Sequence, residues 1–457
     1  MAIISDTLAG IKSNPLALLG GAECVDKCFA AAGHVWRDRV LTPARTMKLF
    51  ILQILHGNTA ISHLRHLSDL DVSDSSYCDA RARLPLAGVA AATARLCCDG
   101  GRCIDNAARW LGRRVLMTDA TSVTTPDTPR LQELWPQPCA QKKGCGFPAI
   151  KLLGLLDLAS GMIVQLTMMC LNVHEMSQLA GPHAGLRRGD VLLGDRAFCS
   201  FAHLALLVGM SVDAVFRTHQ AQIVDFTPGR PHRKKGGKNG KRYQRGLPSS
   251  RFVRKLGEMD QIVEWFRPAR KPPWMSEADY AALPDKLELR ELRYSISARG
   301  MRTRVVSITT TLLDAMRYPK REIARLYGLR WEIETNFRHL KTTMKMEALK
   351  CQTADGVMKE LMIYVLVYNM VRAAMMLAAE RQGIADVNRV SFIDALRWLC
   401  SVLAAHPRGS MPELIINPSR EGRCCPRVMK RRKKEYDLMN KPRSQYAEPA
   451  AEKEVKD

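Results

Sequence analysis

The sequence predicts an α/β protein in which helices cover a mixed β-sheet. Between residues 113 and 219, strand-like apolar runs alternate with helix-like segments in the order three strands, helix, strand, helix, strand. Residues 42–111 and the chain from Lys320 onward carry apolar residues three and four positions apart, which is typical of helices. Strand-like runs between residues 219 and 312 interrupt the alternation and predict an inserted β-rich subdomain.

These patterns divide the chain into five regions. The regions are a helical one at 1–111, the first part of the α/β core at 112–219, a β-rich insertion with a basic loop at 220–318, the return of the core as a helix at 319–350, and a helical region with a basic tail at 351–457. The Arg-rich faces of the first region suit DNA contact, and a solvated helical surface explains them equally well.

The charge of the chain predicts a polyanionic partner. Its 457 residues carry a formal net charge of +24, for which nucleic acid is the first expectation. Residues 230–245 and 423–443 are basic runs expected to contact DNA phosphates. A membrane is not expected, because no secretory signal is visible and the most apolar segment, residues 361–379, contains Asn369 and Arg372. That segment predicts a buried helix of a soluble protein.

The 14 cysteines do not predict a zinc site or a disulfide framework. Their spacings form no paired C-x-x-C clusters with nearby histidines, and the adjacent pairs at 97–98 and 424–425 suit tetrahedral metal binding poorly. Reduced thiols in a cytosolic protein are therefore expected.

The stretch YGLRWEIETNFRHLK, from Tyr327 to Lys341, predicts a single amphipathic helix. At about 100° per residue, one stripe is apolar and buried. That stripe consists of Leu329, Ile333, Phe337, Leu340 and Met344. Beside the stripe, one edge carries Tyr327, Arg330, Glu334 and Lys341, whereas Glu332 is expected to face solvent.

This edge has an ordinary and a functional interpretation. Arg330 and Glu334 are four residues apart and could simply form a stabilising ion pair on a helix surface. Asp119 and Asp195, however, each follow an apolar strand, and open α/β sheets place catalytic groups at such strand ends. Together with Glu334 they would form a hard-oxygen site that suits Mg²⁺ or Mn²⁺. Arg330 and Lys341 would then grip phosphates beside two metal ions.

Other acids near these positions have simpler explanations. Asp127 follows a Thr-Pro turn and Asp157 precedes an Ala-Ser-Gly turn, so both are expected to cap turns. His174 and Glu175 follow the third strand, where helix capping is expected and a supporting role beside a metal site is the alternative.

The spacing Y-x2-R-x3-E-x6-K, filled by Tyr327, Arg330, Glu334 and Lys341, resembles the signature helix of bacterial DDE transposases of the insertion sequence four family, which includes the transposon five transposase. Four upstream stretches occur in the family's order. They are SDSSYCDARARLP at 73–85, TDATSVTTPDTP at 118–129, KGCGFP at 143–148 and GDRAF at 194–198. The likeness runs from about residue 40 to the basic tail.

The resemblance implies a ribonuclease-H-like core with Asp119, Asp195 and Glu334 as catalytic and metal-binding residues, and a β-rich insertion between Asp195 and Glu334. It implies two Mg²⁺ ions, for which Mn²⁺ can substitute, and phosphate binding by Tyr327, Arg330 and Lys341. The implied activity is cut-and-paste cleavage at terminal inverted repeats, through an end hairpin, and strand transfer into target DNA. A homodimer on paired DNA ends and a cytoplasmic, nucleoid-associated protein are further implications.

In some relatives a tryptophan of the insertion stacks on a flipped base. Trp265 is the first candidate for this role and Trp274 the second, while packing in the core of the insertion explains Trp265 equally well. Trp331 is expected to pack near the site.

Two other functions fit the same fold. One is a DNA-binding relative without catalytic activity, acting as an inhibitor or structural factor, which the intact Asp119, Asp195 and Glu334 disfavour. The other is a stand-alone metal-dependent nuclease, which strand-transfer products would distinguish from a transposase.

Overall fold

The computed structural model describes residues 15–102, 109–233, 246–296 and 304–404 except 38, 69 and 71, together with 416, 436, 438–439 and 442–445. Most of the two basic runs expected to contact DNA, at 230–245 and 423–443, lies outside the described residues. Tail residues that are described pack against the loop before the second strand: Met439 N donates to Cys145 O at 2.8 Å and Arg443 N to Gly144 O at 3.0 Å.

Helices occupy both ends of the described chain and cover the sheet. The α-helices are α1 (Ala22–Ala31), α2 (Pro43–Leu55), α3 (Asp74–Arg83), α4 (Leu86–Arg102), α5 (Pro129–Leu134), α6 (Ala180–Ala184), α7 (Phe201–Gly209), α8 (Glu277–Ala282), α9 (Lys320–Gly328), α10 (Trp331–Arg338), α11 (Ala354–Arg381) and α12 (Phe392–Ala404). Polar caps begin several of them, as the sequence predicts. Thr42 accepts from Arg45 N before α2, and Ser73 accepts from Ser76 N before α3.

One nine-stranded sheet forms the centre of the molecule. Its strands are β1 (Val115–Thr124), β2 (Ala149–Asp157), β3 (Ile163–Cys170), β4 (Val191–Gly194), β5 (Asp213–Arg217), β6 (Arg251–Gly257), β7 (Asp260–Phe266), β8 (Lys286–Ile296) and β9 (Arg304–Thr310). They lie in the order β3-β2-β1-β4-β5-β9-β8-β7-β6. Strands β1, β4 and β5 are parallel, whereas β2, β3 and the run from β9 to β6 pair antiparallel with their neighbours.

The fold class predicted from the sequence, a mixed α/β architecture, is confirmed. Strands β6 to β9 supply the predicted β-rich segment, and the pairing of β9 with β5 makes them a continuation of the core sheet. Strand β6 was not among the predicted strand-like runs. The helical segment expected after β3 is shorter than predicted, with a 3₁₀ turn at Glu175–Gln178 followed by the five-residue α6.

The long apolar helix α11 is the core of the helical half. Of its most apolar window, 94% is buried inside the protein, as expected for the core helix of a soluble protein. Asn369 and Arg372, 0% and 2% exposed, are satisfied there: the Asn369 amide bonds both backbone groups of Ile163, and Arg372 Nε donates to Ser160 O at 2.7 Å. Helices α2 and α4 pack on α11, so the N-terminal helices share one hydrophobic core with the sheet and the C-terminal helices.

Free thiols are found wherever the structure describes cysteines. Cys97 and Cys98 are unpaired, and so are Cys24, Cys28, Cys78, Cys139, Cys145, Cys170, Cys199, Cys351 and Cys400. The prediction of reduced cysteines is confirmed for these eleven positions.

Candidate active site

Asp119 lies on β1 and Asp195 directly follows β4, two parallel strands at the centre of the sheet. The parallel pairing aligns Met117 with Leu193, so the two aspartates follow at equivalent positions on neighbouring strands. Asp195 begins the 3₁₀ turn Arg196–Phe198, where its side chain accepts from Ala197 N at 2.8 Å. Asp119 is not at a strand end as predicted, because β1 continues to Thr124 through its pairing with β2.

Helix α10 brings Glu334 to the same edge of the sheet. Gly154 on β2 pairs with Asp119, and a Cβ at Gly154 would lie 2.8 Å from the ring of Phe337. The absent side chain therefore lets α10 pack closely on the strands beside Asp119.

Arg330 lies between two of the three carboxylates. Its guanidinium nitrogens lie 3.4 Å from Asp119 Oδ2 and 3.3 Å from Glu334 Oε1. The Arg330 side chain is only 11% exposed, and its buried Nε has no hydrogen-bond partner within the described ranges. The sequence predicted the pair with Glu334 but not the bond to Asp119. These long, divided contacts leave the guanidinium incompletely satisfied by the protein.

The raised pKa of Asp119 reflects its burial and the negative charges close to it. The pKa of Asp119 is raised to about 6. Burial is the largest cause, and the negative charges of Asp195 and Glu334 also raise this pKa. The Ala120 N–H and the Arg330 guanidinium act in the opposite direction. The three acids therefore lie within electrostatic reach of one another.

The carboxylates of Asp119, Asp195 and Glu334 are not close enough together in this structure to hold one metal ion between them. Among the described residues, no group of three acidic, histidine or cysteine side chains lies close enough together to hold a metal ion. The donor set nevertheless suits a hard divalent cation, because Asp119 and Glu334 share one cationic partner, Arg330, and Asp119 carries an elevated pKa.

The other two residues of the predicted edge lie on either side of these acids. Tyr327 is 8% exposed, and burial raises its pKa to about 12 despite the nearby guanidinium groups of Arg330 and Arg217. Lys341 lies in a π-helical turn, His339–Thr343, with its Nζ 3.6 Å from Glu347 Oε1.

The prediction of one continuous helix from Tyr327 to Lys341 is wrong. Between α9 and α10 the backbone hydrogen bonds span three residues, from Arg330 N to Tyr327 O at 3.1 Å and from Glu332 N to Leu329 O at 2.9 Å. Three-residue turns rotate the chain more per residue, so later side chains advance by about 60° relative to a regular helix. Leu329, expected in the apolar stripe, is 46% exposed as a result.

The same rotation changes the orientation expected for the side chains of Glu332 and Glu334. Glu332 does not face solvent: it is half-buried, and burial, followed by the charge of Asp386, raises its pKa. Glu334 is displaced away from the apolar stripe, and its side chain is 46% exposed. The two glutamates are therefore separated as predicted, but Glu332 packs against the protein.

Two site residues were missed from the sequence. Arg217 ends β5 directly after the residue paired with Gly194, which places it beside Asp195, and its charge lowers the pKa of Tyr327. Tyr294 on β8 has a buried hydroxyl to which no described residue hydrogen-bonds, and burial raises its pKa to about 12. The position of Arg217 at the end of an apolar strand was the available signal.

The tryptophans differ in accessibility. Trp265 is 4% exposed, and its indole donates to Glu291 Oε1 at 3.0 Å, so the core interpretation of Trp265 holds. Trp274 is half-buried and lines, with Trp265, a cavity of about 1350 Å³ beside the turn after Asp195. Trp331 is 46% exposed, and its ring lies 5.2 Å from the Arg330 guanidinium.

The competing acids have structural partners. Asp157 Oδ2 accepts from Ser160 N at 3.1 Å, which confirms the turn cap. His174 caps the 3₁₀ turn that follows it, as expected. Asp127 instead holds Gln132 Nε2 at 2.9 Å and Arg443 Nε at 2.6 Å, which joins the loop after β1 to the tail.

Comparison with known proteins identifies the family. Residues 110–370 match the family described as "Transposase DDE domain", a range that covers more than half of the chain and contains Asp119, Asp195 and Glu334. The chain belongs to this family of DDE transposases. Transposase InsG of insertion sequence element IS4 from Escherichia coli strain K12 is 26% identical over 455 residues, which cover 93% of this transposase and 94% of InsG. That similarity places the transposase in the insertion sequence four family.

A solved structure gives a weaker likeness. The piggyBac transposase in a cryo-EM synaptic complex with hairpin DNA aligns with a TM-score of 0.41 and 10% identity over 83% of this chain and 76% of that one. The predicted family and the predicted activity, DNA cleavage and strand transfer by a transposase, are confirmed by the family match and by InsG. DDE transposases use divalent metal ions, and DNA is the partner of this one.

Proposed function

We propose that Asp119, Asp195 and Glu334 bind two Mg²⁺ ions, which Mn²⁺ can replace, and that this centre cuts the ends of an insertion sequence and joins them to target DNA. The observation that carries the proposal is the shared, incompletely bonded Arg330 between Asp119 and Glu334. When bound, the ions would activate water or a 3′ hydroxyl and stabilise the leaving oxygen of an in-line phosphoryl transfer.

Arg330 exchanges its partners when DNA binds. In the free protein its guanidinium compensates two of the three carboxylates at 3.3–3.4 Å. Metal ions would then neutralise the carboxylates in place of Arg330. The Arg330 guanidinium would be free to donate to two oxygens of a phosphate near the scissile bond. Such an exchange keeps the acids from repelling one another before the substrate arrives.

Tyr327, Lys341 and Arg217 complete the phosphate-binding surface. Tyr327 lies near both Arg217 and Asp195, because the charge of Arg217 lowers the pKa of Tyr327 and the charge of Asp195 raises it. Tyr327 keeps its proton at neutral pH and therefore donates a hydrogen bond. Lys341 would leave Glu347, a long ion pair at 3.6 Å, for a flanking phosphate.

We infer that the cavity behind the Asp195 turn receives an unstacked base. Trp274 and Phe266 line it together with His232, which stacks on Phe266 at a centroid distance of 6.0 Å. Aromatic faces of this kind hold flipped bases. Trp274 is the better-placed stacking residue, while Trp265 would need to leave Glu291 first.

The remaining functional features follow from the family. We propose a ribonuclease-H-like core, supported by three antiparallel strands continued by two strands parallel to β1. Recognition of the terminal inverted repeats would reside in residues 1–111, two chains would pair two DNA ends, and excision would pass through an end hairpin. The protein would act in the cytoplasm at the nucleoid.

The central test compares the two neighbouring glutamates. Glu334→Gln should lower metal-dependent cleavage of the element's end by more than about 100-fold while DNA binding persists, since even losing an outer-shell partner of a metal ligand costs about 10- to 100-fold. Glu332→Gln is an equally conservative change on a different face of the same helix. This variant should cleave within about threefold of the wild-type rate, a smaller loss than the 10- to 100-fold range. Cleavage by Glu334→Gln at the wild-type rate would refute the triad.

A further inference from the structure

A second basic site lies at the opposite edge of the sheet from the triad. The residues directly before β1 and β4, including Arg113, Arg114 and Asp190, line a cavity of about 910 Å³ with the turn between β2 and β3 and with α4. We call it the rear cleft. From Asp190 to Asp195 the chain runs five residues along β4, a distance of about 17 Å.

The rear cleft carries an excess of positive charge. Five arginines line it, at positions 109, 113, 114, 187 and 188, against two aspartates, Asp157 and Asp190. Both aspartates are already bonded: Asp157 accepts from Ser160, and Asp190 accepts from Arg114 Nε at 3.0 Å and from Arg187 N at 2.7 Å. Neither of the two acids among the described lining residues is therefore available to compensate the remaining cations.

The five arginines fall into three sets. Arg113 and Arg114 are structural, since Arg113 pairs with Asp213 at 2.7 Å and donates to Tyr318, and Arg114 pairs with Asp190. Arg187 and Arg188 are exposed on the rim and, among the described residues, form no ion pair. Arg109 is half-buried, and its Nε has no hydrogen-bond partner among the residues that the structure describes.

A second donor points to the same missing ligand. The indole N–H of Trp110, next in the chain, is also buried and finds no hydrogen-bond partner in the described part of the chain. The Trp110 ring is fixed by stacking on Tyr318 at 5.7 Å, so the donor is held in place. Unpaired buried donors are costly, and here two of them occur in one basic cleft.

We propose that the rear cleft binds the phosphate backbone of DNA, through Arg187 and Arg188 at the rim and Arg109 and the Trp110 N–H inside. Guanidinium forks and N–H donors match phosphate oxygens, and such contacts hold DNA without reading its sequence. Because the cleft lies at the other end of β4, about 17 Å from the triad, the phosphates it holds are not the scissile ones. The proposal extends the transposase function but does not depend on the triad assignment.

The first test measures binding of a random-sequence duplex to the full chain in the Glu334→Gln background. Arg187→Ala with Arg188→Ala should reduce the slope of log affinity against log salt by about two, whereas Arg187→Lys with Arg188→Lys should preserve the slope. The charge-matched control is Arg381→Ala with Arg397→Ala, two exposed arginines outside the cleft. Equal slope losses for both alanine pairs would overturn the assignment.

The second test locates the DNA. Cys98 is an exposed thiol in the wall of the rear cleft, and Cys139 is an exposed thiol outside it. A duplex at ten times its dissociation constant should slow alkylation of Cys98 about 10-fold, because about a tenth of the sites remain free. The Arg187→Ala, Arg188→Ala variant should lose this protection at the same DNA concentration while Cys139 behaves as in the parent.

Two results of the alkylation experiment would contradict the proposal. One is an unprotected Cys98 in the parent protein at saturating duplex. The other is protection by ATP or pyrophosphate but not by duplex, which would assign the cleft to free phosphate compounds. Activity of the Glu334→Gln enzyme would refute the triad and leave both binding results unaffected, so the two proposals fail separately.

Discussion

The two edges of the central sheet treat charge in opposite ways. At the edge with Asp119, two of the three acids, Asp119 and Glu334, share one buried arginine through contacts of 3.3–3.4 Å. At the rear edge each structural acid has its own arginine, with Asp213 paired to Arg113 at 2.7 Å and Asp190 held by two nitrogens of Arg114. Short, complete pairs stabilise a fold, whereas long, shared ones leave groups free to exchange partners.

This difference separates structural from functional charge within one sheet. Asp190, the most buried of these acids, is structural, whereas Asp119 and Asp195 are half-buried, so burial alone does not mark a site. Uncompensated charge does mark a site. The incompletely paired carboxylates near Asp195 predict that cations bind there, and the incompletely paired arginines of the rear cleft predict that anions bind there.

Asp190→Asn should give the largest effect on stability. The side chain of Asp190 is 6% exposed and that of Arg114 is 15% exposed. Neutralising one partner leaves a nearly buried guanidinium unpaired, which should lower the free energy of unfolding by about 3 kcal/mol. Urea denaturation of the metal-free protein measures this loss. An unchanged free energy of unfolding would show that the rear pairs are not structural.

Arg217→Ala should weaken catalysis without affecting stability much. If Arg217 contacts phosphate beside Asp195, its loss should reduce end cleavage about 10-fold, equivalent to about 1.4 kcal/mol. Arg397→Ala, which removes an exposed arginine from α12, is the charge-matched control. Cleavage kinetics on an end duplex compare the two variants, and equal rates would remove Arg217 from the site.

Asp119→Asn should have a smaller and opposite effect on stability from Asp190→Asn. Since the pKa of Asp119 in the folded protein is about 6 and its usual value is 3.8, folding with an ionised Asp119 is penalised at neutral pH. Removing the charge should raise the free energy of unfolding by about 1 kcal/mol after the lost Arg330 contact is allowed for.

The pH dependence of that gain follows from the raised pKa. The proton on wild-type Asp119 stabilises the fold fully below pH 4 and is lost as the pH rises through about 6. The advantage of Asp119→Asn should therefore vanish near pH 4 and be complete above pH 7, in the presence of a chelator. A destabilised variant at pH 8 would mean that Asp119 is a structural acid like Asp190.

Much of the fold and of the candidate site was predictable from local patterns. Apolar runs ending near Asp119 and Asp195 located two central strands, and the apolar period placed Glu334 apart from Glu332. The break before α10 was not predictable, because Leu329 and Arg330 keep helical dihedrals while their hydrogen bonds shorten to three residues. Helical phase across such a turn depends on tertiary packing.

The missed residues share a physical cause. Arg217 reaches the site because β5 pairs parallel with β4, and the rear cleft exists because residues more than 70 positions apart, such as Arg114 and Asp190, meet at one edge. Register between distant strands is not encoded in any short window of sequence. For the same reason Trp265, a plausible exposed aromatic in sequence, is fixed in the core by Glu291 from the neighbouring strand.

The most direct test of the central claim is a count of bound manganese. Titration of the chelator-treated protein with Mn²⁺, followed by electron paramagnetic resonance with an end duplex present, should show two ions per chain in the wild type and at most one in Asp119→Asn. Two equally tight ions in Asp119→Asn would show that Asp119 does not bind metal and would contradict the assignment of Asp119, Asp195 and Glu334 as the metal centre.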